Sequence, residues 1–146
     1  MKIRQEFEKW AILPACIEQA QATLGANIIE AAEAAPQDEL DDYTFSEAGG
    51  VAIIPVQGVI GHKVGAVAKM LGAVDALDIM AAIELAADDD EVDTIILDID
   101  SPGGTVAGVP ELAETVEAVQ ASGTKKIYAY TDSQMASAAY WLAAGA

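Results

Sequence analysis

Basic side chains are scarce in this sequence. Seven Lys and Arg stand against 24 Asp and Glu, for a formal charge of −17. A surface this acidic repels phosphate backbones and anionic lipid, which argues against nucleic acid and membrane surfaces as partners. No Lys or Arg occurs between Trp10 and His62, while Glu30, Glu33, Asp38, Glu39, Asp41, Asp42 and Glu47 crowd that stretch. Such a run reads first as a solvated linker and second as an acidic docking segment for a basic partner. Cysteine is nearly absent as well. Cys16 stands alone, so an intrachain disulfide and a thiolate zinc cluster are both excluded. It reads as a small buried apolar residue, compatible with a reducing compartment. The N-terminus, MKIRQEFEKWAILPAC, has charges of both signs and no long apolar run. It has the features of neither a secretory signal nor a membrane span, and the expected location is cytoplasmic. No cofactor and no metal is expected, since Asp88, Asp89, Asp90 and Glu91 read as a solvated turn.

What is present suffices for one compact domain. The 146 residues are 53% hydrophobic, but alanine supplies much of that figure and buries little area, so the core must come from Ile, Leu and Val runs. Residues 1–34 read as an N-terminal helical segment, with helical spacing over 3–24, Phe7, Trp10, Ile17 and Leu24 as buried positions, and Pro14 starting or kinking a helix. Residues 35–49 read as an acidic linker, and residues 50–146 as the main domain. There VAIIPV (51–56) predicts a strand, placed at an edge or bulge by Pro55. Gly58 marks a turn, after which Val59 and Ile60 extend a second strand. Residues 75–87 predict a helix with Ile79, Met80 and Ile83 on its apolar face. TIILDI (94–99) predicts a buried strand, 100–104 a tight turn, 106–121 an amphipathic helix, KIYAY (126–130) a strand, and 136–144 a mostly buried helix. This β–α alternation indicates an α/β domain with a largely parallel sheet and right-handed crossovers.

Two segments carry chemistry. Asp98-Ile99-Asp100-Ser101-Pro102-Gly103-Gly104 ends a strand, and its paired glycines let the backbone take positive φ and approach a ligand closely. Such a loop can hold an oxyanion, although a strand-to-helix turn needs glycine for geometry alone. Ser133-Gln134-Met135-Ala136-Ser137-Ala138-Ala139-Tyr140-Trp141 places Ser137 among small neighbours that leave room for a substrate carbonyl. A helix-capping role is the plainer alternative for a serine here, and Ser133 is the better cap candidate. Both segments follow predicted strands at their C-terminal ends, where open α/β sheets bind ligands.

In combination, SPGG followed by a helix, a strand and MASAAYW resembles the signal peptide peptidase A family of serine peptidases. It is similar, more distantly, to the Clp protease subunit and the crotonase fold. VAIIPVQGVIGHK with TIILDIDSPGGTVAGV resembles most the phage head-maturation protease branch, similar to phage lambda protein C. The likeness runs from about Gly49 to Ala146. It implies a Clp/crotonase-like α/β fold and a Ser-Lys type active site with Ser137 as nucleophile. It further implies an oxyanion hole from the N–H groups of the Gly103-Gly104 turn and Ala138, a capsid or scaffold protein as substrate, and a homo-oligomer.

A serine hydroxyl needs a base to take its proton. The family uses a lysine whose burial lets it be neutral, several tens of residues after the serine. Lys63, Lys69, Lys125 and Lys126 match no such motif, with Lys125 and Lys126 starting a strand, charge outward. His62 reads as a surface or packing residue. The chain is therefore expected to be C-terminally truncated and inactive alone. The rivals are a cellular signal-peptide or membrane-protein peptidase of the same family, a crotonase-like acyl-CoA enzyme, and a non-catalytic assembly module.

Overall fold

The computed structural model describes residues 10–12 and 45–146. Among the described residues, eight strands fall into two sheets. One has the order β2 (Ser46–Ala48), β3 (Val51–Gln57), β6 (Thr94–Asp100), β8 (Lys126–Tyr130). The other has the order β1 (Trp10–Ile12), β7 (Gly103–Thr105), β4 (Ile60–Gly61), β5 (Val74–Asp75). Four helices are interspersed among the described residues: α1 (Ala66–Met70), α2 (Ala76–Asp88), α3 (Val109–Ser122) and α4 (Ala138–Ala143).

The first sheet is parallel across β3, β6 and β8, with β2 antiparallel on its edge. Its pleat explains the sequence. Ala52, Ile54 and Val56 of β3, Ile95, Leu97 and Ile99 of β6, and Ile127 of β8 are buried on one face. That face lies under α2 and α3, which contribute Ile79, Ala82, Ile83, Leu112 and Val116. Burying each large aliphatic side chain contributes about 1.5–3 kcal/mol. On the opposite face Ile53, Ile96 and Tyr128 stand in register, and Tyr128 is exposed. The mixed α/β class and largely parallel sheet of the sequence reading are found here.

Several local expectations need correction. β3 lies between β2 and β6 rather than at an edge. Pairing with β2 stops at Ile53, two residues before Pro55, so that ladder asks no donor of the proline ring. Trp10–Ile12 is a strand paired with β7, not helix; the rest of the expected N-terminal helix, Cys16, and all of the linker before Phe45 lie outside the described residues. The segment after β6 is more than a tight turn: Gly103–Thr105 crosses into the second sheet as β7. Local helical spacing does not reveal such a crossing.

Helix ends follow capping chemistry. Asp75, 5% exposed, accepts hydrogen bonds from Leu77 N–H at 3.0 Å and from Val64 N–H, so its buried carboxylate caps α2 and ties down the preceding loop. α3 has Pro110 in its first turn and ends at Gly123, whose φ of 67° is left-handed.

Candidate active site

The two segments singled out in the sequence meet at the C-terminal ends of β6 and β8. Past Asp100, Ser101 N–H donates to the Gln134 carbonyl (2.7 Å), and Ala136 N–H donates to the Ser101 carbonyl (3.1 Å). This parallel bridge, Ser101 opposite Met135, extends the β6–β8 ladder beyond both strands. It leaves Ser137 two residues beyond one end of the bridge and Gly103 two residues beyond the other.

Ser137 has φ 55° and ψ −118°. It and Lys63 are the two non-glycine residues with positive φ among the described residues. Such backbone costs about 1–3 kcal/mol and persists where surrounding contacts enforce it. Here the enforcement is visible on both sides. Ala136 is fixed by Ser101, while Ala138 and Ala139, the first residues of α4, are fully buried where that helix packs on α3 and β7. Ser137 holds the N-cap position of α4, yet its hydroxyl makes no capping hydrogen bond. The expected cap at Ser133 is not found either. Ser133 lies in the bend before α4, its N–H donating to Thr131 Oγ1 at 3.2 Å. The Ser137 side chain is thus exposed and uncommitted among the described residues.

The neighbouring N–H groups differ. Ala138 N–H has no acceptor among the described residues, which is uncommon for a buried amide. Gly103, φ 99°, donates its N–H to Ser101 Oγ at 3.2 Å. Gly104 answers a different demand. A β-carbon there would lie 1.7 Å from the Ile60 carbonyl oxygen, so glycine is required for β7 to pair with β4. α4 is shorter than expected, and Tyr140 and Trp141 are exposed rather than buried.

No described lysine or histidine hydrogen-bonds to Ser137. Lys69 pairs with Asp78. Lys125 turns inward, against expectation, and donates to the Asp89 and Val92 carbonyls at the opposite end of the sheet. Lys126 is exposed at the start of β8. His62 packs beside Gly108, where an added β-carbon would stand 2.6 Å from Nδ1. No group of three or more His, Cys, Asp or Glu among the described residues is arranged to hold a metal, and no described helix is long and apolar enough to cross a membrane. The sequence reading passed over Ser101, whose signal was a hydroxyl placed at a strand end directly before Pro-Gly-Gly.

No family model matches the chain. Over 103 residues, 70% of the chain, it is 32% identical to capsid assembly protease C of Escherichia phage lambda, covering 23% of that protein. Over 94 residues, 64% of the chain, it is 33% identical to head-tail preconnector protein GP5 of Enterobacteria phage P21, covering 18% of it. The chain spans less than a quarter of the length of these curated relatives. Over that stretch, the chain is similar to a capsid assembly protease and to a head-tail preconnector protein of two phages.

Proposed function

We propose that this chain carries the nucleophile and oxyanion hole of a serine endopeptidase that processes capsid or scaffold protein during phage head maturation. The observation that carries the reading is Ser137: a strained, exposed serine with an uncommitted hydroxyl, bridged through Ser101 to a glycine loop. The name of the phage lambda relative supports proteolysis and a capsid substrate. A Clp/crotonase-like fold agrees with the parallel β–α crossovers and with a strand that passes between two sheets just before the oxyanion glycine.

In this mechanism Ser137 Oγ attacks the scissile carbonyl carbon and its proton passes to a general base. Negative charge forms on the carbonyl oxygen, facing the N–H groups of Gly103 and Ala138, each worth about 3–4 kcal/mol to the transition state. Collapse breaks the C–N bond, the protonated base gives its proton to the leaving amine, and water then hydrolyses the acyl-serine. Gly104 keeps the loop against β4. The base is a lysine from outside the described residues, as the family pattern implies, and residues 1–146 alone are expected to be inactive. The protein works in the host cytoplasm or the assembling particle as a homo-oligomer.

A non-catalytic assembly module is the second reading, favoured by the lack of a base on Ser137 among the described residues. One experiment separates them. In the full-length gene product, Ser137→Ala should reduce capsid or scaffold cleavage by more than about a thousandfold, with the circular dichroism spectrum unchanged. Undiminished cleavage by Ser137→Ala would overturn the nucleophile assignment. Absence of cleavage by the wild type would favour the assembly module.

A further inference from the structure

We infer that Ser101 is the positioning residue that aligns the two halves of this site; the inference rests on the peptidase reading above. Ser101 is fully buried, one of two buried polar residues among those described. All of its polar groups are committed. Its N–H and carbonyl hold Gln134 and Ala136, which fixes the chain one residue before Ser137. Its Oγ donates to the Gly58 carbonyl at 2.6 Å and accepts from Gly103 N–H at 3.2 Å. The backbone of this residue therefore orients the nucleophile, and its hydroxyl orients the oxyanion donor against the turn between β3 and β4.

The hydroxyl matters because of what it steadies. Gly103 begins β7 opposite Ile12 at a φ of 99° that favours glycine, and Pro102 before it has no N–H to contribute. Without Ser101 Oγ, no side chain among the described residues fixes the direction of the Gly103 N–H. The bond at 3.2 Å is long for N–H···O, so the same N–H can be shared with a developing oxyanion. An oxyanion donor is effective when its direction is set before the reaction, and a misplacement near 1 Å costs about a hundredfold.

Removing the hydroxyl leaves the backbone bridge to Met135 intact, so nucleophile placement and donor placement can be separated. The test uses full-length protein and a fluorophosphonate probe, with labelling of Ser137 followed over a range of probe concentrations. Ser101→Ala should lower the maximal labelling rate about tenfold to a hundredfold, with half-saturating probe concentration unchanged. Amide exchange resolved at Gly103 should be slow in the wild type and much faster in Ser101→Ala. A structural role alone would lower the folded fraction without changing the rate per folded molecule. Unchanged maximal labelling in folded Ser101→Ala would overturn the inference. So would a Gly103 amide that exchanges in the wild type as fast as an exposed one, a measurement that stands even if the variant fails to fold. Wild-type protein that takes no label at Ser137 would instead remove the peptidase reading, leaving the exchange measurement to judge the Ser101–Gly103 bond.

Discussion

The two ends of the parallel sheet are built from similar turns but spend their polar groups differently. At the N-terminal end, between α2 and β6, Asp89 accepts from Glu91 N–H, Asp93 and Thr94 donate to the Gly50 carbonyl, and Lys125 covers two carbonyls. Each of these groups serves the turn itself. At the C-terminal end, Ser101 is as fully engaged, but the next groups to matter are not: the Ser137 hydroxyl and the Ala138 N–H have no partner among the described residues, and the Ser137 backbone is strained. A turn that exists for stability consumes its donors and acceptors. A turn that leaves a hydroxyl and a buried N–H unspent, at a cost in strain, is the arrangement that the proposed nucleophile requires.

Three substitutions sharpen that contrast. The largest effect on folding is expected from Gly104→Ala. Its β-carbon would meet the Ile60 carbonyl at 1.7 Å, a backbone atom that cannot swing aside. Loss of more than about 3 kcal/mol, read by urea denaturation, is expected. Stability near wild type would show that β7 and β4 are not held together as described. Lys125→Met comes next. It keeps the aliphatic stem and removes charge-assisted hydrogen bonds to two carbonyls, so a loss of about 1–3 kcal/mol should appear with no change in Ser137 labelling. A fall in labelling would mean that the two ends of the sheet are coupled. The smallest effect is the most pointed. Ser137→Gly relieves the positive φ and should raise stability by about 1 kcal/mol while abolishing cleavage. A destabilised Ser137→Gly would show that the hydroxyl has a structural role after all.

The parts of the molecule legible in the sequence are those set by local pattern. TIILDI and KIYAY are short, largely apolar runs and become β6 and β8; Ile79 and Ile83 carry helical spacing and are buried against the sheet. The pairing of SPGG with MASAAYW was legible through combination and strand-end position, and the Ser101–Met135 bridge gives its physical basis. Other features depend on contacts between distant residues. Trp10–Ile12 is a strand because β7 offers an edge, and nothing in its own spacing announces that. Pro55 suggested an edge, but what decides its place is how far β2 extends. Lys125 turned inward because two carbonyls converge on it from the loop after α2. The strain at Ser137 is likewise a tertiary product, imposed by the bridge before it and the buried alanines after it.

The proposed role of Ser137 as the reacting group has one direct test. Full-length protein treated with a fluorophosphonate, digested and mapped by mass spectrometry should carry the adduct on the peptide containing Ser137, in close to one equivalent per chain, and on no other serine. An adduct located on another residue, with Ser137 unmodified, would contradict it.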